Sequence, residues 1–456
     1  MTLSLQQAGA PNLIPGWLKP LVDRVRPFVA GSGDELQRAA GGAFLIRVGS
    51  AAIAFLSQPL LARLMGSHEF GIYAYVWTWA LLFGGIADCG LASAAQRFIP
   101  EYRGTRATAL LRGFLFGSRW LTVAVSTLIA LLAGLAVHIF AGQLADSVVI
   151  PMYIACGTLP FWALCVTQDG IARSYNWIGV ALLPLYIIRP LAIIALLFLA
   201  HLMGFPASAV TIMIASVLAS IATALGQNVV LNRRLRGEVA GHARVYDFPL
   251  WIGTSLPISI SVAFFYLLSY VDVLVLQVYR SPSEIAVYYA AQKLLAVVAF
   301  VHFSVAAAVA HRFSEYRAAG EGAKLRSFYA TSLQLTLWPS VGGVIMLLVF
   351  GWPLLWLFGP EFTAGYPLIS ILAIGLLARA AAGPAERLLT MFGRQRDCAL
   401  IYLLALISSV VLCFVLIPPY GLAGAAMATS IALIVESVVL FTLTRQELAR
   451  AARAAA

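Results

Sequence analysis

The sequence predicts an all-α polytopic membrane protein with about twelve transmembrane helices, arranged as two parallel six-helix repeats. Three observations lead there. Charged residues make up 11% of the 456-residue chain and hydrophobic ones 61%, with a mean hydropathy of +0.90. A soluble globular chain carries about 25% charged residues. Apolar runs of roughly 20 residues fit helices that cross a hydrocarbon core about 30 Å thick, whereas barrel strands alternate in shorter segments, and no such alternation is present.

The third observation is an internal repeat. The stretch Leu61–Gly104, LARLMGSHEFGIYAYVWTWALLFGGIADCGLASAAQRFIPEYRG, has a fainter copy from Leu276 to Arg317. At a constant offset of 215 residues Leu61 meets Leu276, Glu69 meets Glu284, Tyr73 meets Tyr288, and Arg97-Phe98 meets Arg312-Phe313. One deleted residue then brings Glu101-Tyr102-Arg103 onto Glu315-Tyr316-Arg317. Any single pair could be chance. The ordered set (apolar span, short acidic turn, Tyr, apolar span, Arg-Phe exit) reads as a duplication.

In chain order, residues 1–41 lack the compact apolar core and small-residue cleavage site of a signal peptide. Leu13, Ile14, Trp17, Leu18, Leu21, Val22 and Val25 recur at helical spacing with Lys19, Asp23, Arg24 and Arg26 between them, until Pro27 breaks the pattern. A short interfacial helix and a partly disordered tail are both compatible with this cytoplasmic extension. Twelve spans follow, near 42–65, 72–95, 114–138, 148–168, 178–200, 206–230, 249–278, 286–310, 327–349, 365–389, 397–417 and 421–443.

The connections alternate in charge. One set carries Arg97, Arg103, Arg106 and Arg112; Arg173; Arg233, Arg234, Arg236 and Arg244; Arg312, Arg317, Lys324 and Arg326; Arg394 and Arg396; and Arg445, Arg450 and Arg453. The opposite set is short, with Arg280 and, at a span end, Arg63. Trp352 and Trp356 sit near that side, as interfacial aromatics do. The arginine-rich side is therefore expected to be cytoplasmic, with both termini on it. Spans one and seven then point the same way, which makes the repeats parallel, related by an axis along the membrane normal. Residues 42–235 form one expected six-helix lobe, and residues 236–456 the other with a short tail.

The net charge of +11 is thus a topology signal, and no nucleic-acid partner is expected. Cys89, Cys156, Cys165, Cys398 and Cys413 lie in or beside apolar segments without metal-ligand spacing, so no metal is expected either. They read as small apolar fillers.

The stretch Leu61–Tyr102 resembles the N-terminal signature of the Wzx-type polysaccharide flippases. These belong to the multidrug/oligosaccharidyl-lipid/polysaccharide exporter superfamily. YVDVLVLQVYRSPSEIAVYYAAQKL from Tyr270, LFGPEFTAGYPLISILAIGLL from Leu357 and LIPPYGLAGAAMATSIA from Leu416 agree with it. The resemblance covers much of the chain from residue 42 onward and leaves 1–41 outside. It implies two six-helix lobes around a central cavity, opening alternately to either side. The implied activity moves undecaprenyl-diphosphate-linked oligosaccharide units from the cytoplasmic to the periplasmic leaflet of the bacterial inner membrane. The implied partners are that lipid-linked oligosaccharide, membrane lipids, and a polysaccharide polymerase with export machinery. A monomer without cofactor is expected.

For such a cargo, cations on a wet cavity can hold the diphosphate by charge-assisted hydrogen bonds. An ionisable residue facing lipid at mid-span costs at least ~2.5–3.5 kcal/mol, so intramembrane charges line cavities or pair. Arg189 is the leading candidate, near the middle of span five, directly before Pro190 and five residues after Pro184. Broken transporter helices border binding sites. Arg379 lies well inside span ten. Arg47 is roughly 8 Å along span one at 1.5 Å per residue, and a cavity role and snorkelling to the surface stay open. Lys293 in span eight has the same ambiguity. Among acids, Asp88, Asp272 and Glu436 are candidates for ion coupling or structural pairing, and Glu386 sits beside Arg387 near a span exit. Gly84, Gly85, Gly421, Gly424, Ala425, Ala426 and Ala428 are packing seams.

Two other function classes remain for comparison. A cation-coupled multidrug exporter of the same fold would have a cavity of acids and aromatics, and Arg189 and Arg379 would repel cationic drugs. A membrane glycosyltransferase or polymerase, an enzyme, would collect its chemistry in a sizeable outer loop, but the outer loops have at most roughly 15 residues by the same span lengths. No Walker motif, HExxH or GxSxG is visible.

Overall fold

The computed structural model describes residues 34–239, 241 and 243–454, with side chains at 34–45, 47–48, 238–239, 261 and 451–454 excepted. Residues from Gly42 onward pack as one compact unit. The interfacial helix expected near the N-terminus lies outside the described residues.

Apart from short turns, the described chain is helical. In order the helices are α1 (Asp34–Ile86), α2 (Leu91–Gly104), α3 (Thr108–Phe140), α4 (Asp146–Ser174), α5 (Ile178–Leu183), α6 (Arg189–Leu202) and α7 (Ala209–Val239). The second half adds α8 (Phe248–Tyr279), α9 (Pro282–Ala318), α10 (Gly322–Trp356), α11 (Tyr366–Ala382), α12 (Ala385–Met391) and α13 (Gln395–Ala454). Among the described residues, ten segments are long and apolar enough to cross a membrane. Two of them, Gly49–Gly104 and Gln395–Arg450, are 56 residues each. At 1.5 Å per residue each would stretch about 84 Å, far beyond a bilayer core. Each contains a glycine outside helical geometry, Gly66 (φ 76°) and Gly421 (φ 58°), where only a residue without Cβ turns freely. Split there, the ten segments are the twelve expected spans.

Three spans differ in detail from the sequence expectation. Span two is interrupted by a turn at Ala87–Gly90, with Cys89 and Gly90 at positive φ. A Cβ on Gly90 would lie 2.5 Å from the Ser255 carbonyl oxygen, so α8 can cross the break only because that residue is glycine. Span five contains a π-helical turn over Pro184–Ile188, in which the Arg189 amide donates to the Pro184 carbonyl. Pro190, lacking an N–H, cannot restore the regular ladder one residue later. Span ten stops at Ala382 because Gly383 (φ 60°) and Pro384 end the helix.

The duplication is visible in the backbone. Positive φ recurs at comparable places in the two halves, at Arg106 and Gly320, Asn176 and Gly393, and Gly204 and Gly421, with separations that shift by three residues along the repeat. Phe98 and its repeat partner Phe313 are both fully buried. Arg103 stacks 4.8 Å from the centre of Tyr175 and Arg317 4.4 Å from Phe392, each reaching the turn that precedes its half's fifth span. Twelve spans in two repeats are thus the architecture of the described residues.

The halves meet tightly at the arginine-poor end. Phe70 of α1 lies 6.0 Å from Tyr289, 6.4 Å from Phe358 and 5.9 Å from Phe362 of the second half. Arg63 Nη2 donates to the Trp356 carbonyl (2.6 Å) and Nε to that of Leu357 (3.1 Å), with the guanidinium over the Trp356 ring. A Cβ on Gly71 would stand 1.8 Å from the Pro282 carbonyl oxygen. At the arginine-rich end the first turns of α8 pack on the first half. Trp251, fully buried, donates from Nε1 to Tyr102 Oη (3.0 Å) and meets Phe114 edge-on. Outside the spans there, Arg394 bonds Asp397 and Glu447. The hydrogen bond to Asp397 raises the guanidinium's pKa above its ordinary value.

Candidate functional site

Arg189 sits at the end of the π turn in the first half, 4% exposed. Its Nε donates to Ser220 Oγ (2.9 Å) on α7, and its Nη2 is buried with no hydrogen-bond partner. The guanidinium lies 3.9 Å from the ring centre of Trp162 on α4 and 5.2 Å from that of Trp77 on α1. Desolvated cation–π contacts contribute about 2 kcal/mol, so the two indoles take the place a carboxylate would hold. Trp77 in turn stacks on Tyr73 (5.8 Å). The charge is held in a niche covered by aromatics. The tryptophans were not singled out in the sequence, where their separation hides the sandwich.

In the second half the structure brings two candidates together. Arg379 Nη2 reaches both Glu436 carboxylate oxygens (2.8 and 2.9 Å), and Nε adds a longer bond of 3.3 Å. The side chains are 15% and 2% exposed. His302, Tyr402 and Glu386 border the pair, with a free volume of 10 Å³ beside it, room for about one water.

Asp272, 1% exposed, is saturated. It accepts from the Val273 amide (2.8 Å), Tyr288 Oη (2.6 Å), Gln292 Nε2 (2.5 Å) and Thr429 Oγ1 (2.8 Å), tying α8, α9 and α13 together. Asp88 fills the break before α2, accepting from the Gly90 and Ala92 amides at 3.2 Å each. It satisfies orphan donors as a capping residue does. Lys293 Nζ rests 4.3 Å from the Tyr289 ring centre. The Arg47 side chain lies outside the described residues. The sequence reading passed over Arg119, which bonds the Leu115 carbonyl, Asn228 and Asn232, and Asp169, paired with Arg173 at 2.6 Å.

The saturation of Asp272 has a measurable consequence. Asp272→Ala removes the acceptor shared by Tyr288, Gln292 and Thr429. It leaves them the longer contacts between Tyr288 Oη and Thr429 Oγ1 (3.3 Å) and from Gln292 Nε2 to Tyr288 Oη (3.5 Å), a loss of about 1–3 kcal/mol for a buried group left poorly paired. Thermal unfolding of the purified variant is expected at clearly lower temperature than wild type, with Asp272→Asn in between. Unchanged unfolding would contradict the network.

Nothing in these groups pairs a nucleophile with a base. Among the described residues, no three or more His, Cys, Asp or Glu gather to hold a metal ion. Two repeated six-helix halves, sealed against each other at one end and enclosing buried charges, define a polytopic membrane protein of two-repeat architecture. Comparison with known proteins places it further. The family model described as polysaccharide biosynthesis protein matches residues 39–317, and the MatE model matches residues 257–415. The chain belongs to the polysaccharide biosynthesis protein family. Among solved structures, it is similar to an inward-facing multidrug resistance MATE family transporter of the MOP superfamily, at TM-score 0.77, 14% identity, 88% of this chain and 96% of that one. It is also similar to the lipid II flippase MurJ in an inward closed conformation, at TM-score 0.70, 17% identity, 88% and 87% coverage. A MOP superfamily transporter from Pyrococcus furiosus gives TM-score 0.68, 14% identity, 94% and 98% coverage. At these TM-scores the likeness shows a shared fold. Among curated proteins none matches the chain.

Proposed function

We propose that this transporter is a flippase. It moves undecaprenyl-diphosphate-linked oligosaccharide repeat units from the cytoplasmic to the periplasmic leaflet of a bacterial inner membrane, for surface polysaccharide biosynthesis, by alternating access. The observation that carries the reading is the polysaccharide biosynthesis match over residues 39–317, on a fold shared with a protein named as a lipid II flippase. The two moving bodies are lobes 42–235 and 236–456. The arginine-rich end faces the cytoplasm by the positive-inside rule. The seam at Phe70, Gly71 and Arg63 is then the periplasmic gate, closed in this state.

Arg189, Arg379, Arg47 and Lys293 are the cations offered to the diphosphate along the pathway. In this state Arg189 is covered by Trp77 and Trp162, and Arg379 is held by Glu436. Their engagement therefore requires exchange of those partners as the lobes move. Asp88 and Asp272, both supplied with donors, act as structural groups in this reading, and coupling through Glu436 would compete with its ion pair.

Vesicles holding the purified protein and an undecaprenyl-diphosphate-linked oligosaccharide test this. Protein-dependent transfer of glycan across the bilayer is expected. The loss of a charge-assisted contact worth about 1.5–3 kcal/mol should slow Arg189→Ala at least about tenfold. The MatE match over residues 257–415 supports a second reading, a cation-coupled multidrug exporter. No glycan transfer together with gradient-driven efflux of a cationic dye would favour it.

A further inference from the structure

An apolar groove of 730 Å³ opens at the arginine-poor end, away from the buried charges described above. Its volume falls in the ~300–1,000 Å³ range of small-molecule sites. The walls come from the second part of α1 (Val76, Trp79, Phe83), the end of α3 and the start of α4 (Ala136, Phe140, Ala155), all in the first half. The second half contributes Gln277, Val278, Arg280 and Pro282. The body of the groove is hydrocarbon, and its polar groups collect where α8 ends.

Two buried polar atoms of lining residues have no hydrogen-bond partner, Gln277 Oε1 and Arg280 Nε. A buried polar group left unpaired costs about 1–3 kcal/mol, so each signals a missing partner. Arg280 is otherwise weakly engaged. Its Nη1 is 3.6 Å from Glu284 Oε1, and its Nη2 is 3.5 Å from the Ile417 carbonyl oxygen. The Glu284 Oε2 is occupied by the Ser281 amide and hydroxyl at 3.0 Å each.

We propose that this groove is a binding site for a glycerophospholipid of the surrounding leaflet, distinct from the transported cargo. One acyl chain fills the apolar body, and the phosphate accepts from Arg280 Nε. Gln277 Oε1 is an acceptor, so it selects a headgroup that carries a donor, an ammonium or a hydroxyl. A bare polyprenyl phosphate lacks such a headgroup. Because its walls come from both halves, the site exists only while the Gly71–Pro282 seam is closed. A bound lipid therefore stabilises this closed state.

The test uses the full chain in nanodiscs containing phosphatidylethanolamine with a photoactivatable group on one acyl chain, and mass spectrometry of the labelled peptides. Labelling is expected to concentrate on 75–83, 133–140 and 152–159, above the lipid-exposed face of α13 around Leu400 and Val411. Ala136→Trp, at an exposed wall position, fills the groove and should bring that labelling down to the α13 level. Ala133→Trp provides the same block from the neighbouring turn. At limiting lipid, Arg280→Gln should weaken labelling about tenfold, the effect of one charge-assisted hydrogen bond. Unlabelled phosphatidylethanolamine should compete better than phosphatidylcholine, whose headgroup has no donor. Even labelling of groove and α13, labelling that survives both tryptophan variants, equal competition by the two headgroups, or preference for undecaprenyl phosphate would each overturn the proposal.

Discussion

Glu436→Ala destabilises the protein by about 3–5 kcal/mol, the cost of stripping one partner from a buried ion pair. The Arg379 guanidinium, 15% exposed, has bonds of 2.8 and 2.9 Å to the two oxygens of that carboxylate, and the space beside it accommodates roughly one water. No hydration shell can replace the lost charge. The expected readout is a large fall in unfolding temperature in detergent, with reduced yield. The double variant Arg379→Leu/Glu436→Leu removes both charges and should recover most of the loss, since apolar replacement of a buried pair is often neutral. If the double variant is as unstable as Glu436→Ala, the pair is not what the substitution disrupts.

Gly71→Ala opens the seam. The new Cβ falls 1.8 Å from the Pro282 carbonyl oxygen, a distance no rotamer change relieves because both atoms belong to, or extend directly from, backbone. α1 and α9 must separate, pulling Phe70 from Tyr289, Phe358 and Phe362. Each half keeps its own packing, so the variant should fold. Spin labels across the seam should show the closed distance in wild type and a longer one in the variant. Transport should fall by at least about tenfold, because a state disfavoured by more than ~1.4 kcal/mol is populated less than a tenth as often. An unchanged seam distance would mean that the approach of α1 and α9 is not tight in the membrane.

Much of this fold was legible in the sequence because the bilayer constrains it so strongly. Backbone groups in hydrocarbon must bond within a helix or a closed barrel, so span count followed from hydropathy, and the alternation of arginines from where they fall between the spans. The repeat was legible for a related reason: Phe98 and Phe313 occupy matching buried positions, and buried aromatics change little without cost. The breaks were harder. Pro184 and Pro190 announced a disturbance in span five, but the π turn that satisfies it depends on where the next free amide lies. The interruption at Ala87–Gly90 carries no proline, and its glycine is set by the approach of Ser255 on a distant helix.

The site was legible only as a set of residues that must not face lipid. Arg379 and Glu436 were both marked, yet their pairing across 57 positions depends on helix phase that one sequence does not fix. Arg189 was marked by its prolines, whereas the indoles of Trp77 and Trp162 that cover it looked like ordinary apolar positions. Asp272 was marked by its charge, and its partners Tyr288, Gln292 and Thr429 are spread over two other helices.

As a proposed flippase, this family member would carry a lipid-linked oligosaccharide across the membrane, and its loss should strand that lipid in the cell. The most direct measurement depletes the protein in its native host and quantifies lipid-linked oligosaccharides by mass spectrometry, with rescue by wild type or Arg189→Ala. Accumulation of one complete repeat unit on its lipid carrier and loss of surface polysaccharide are expected, reversed by wild type and not by Arg189→Ala expressed at the same level. Normal levels of every lipid-linked oligosaccharide, with new sensitivity to cationic drugs, would contradict it and name an exporter instead.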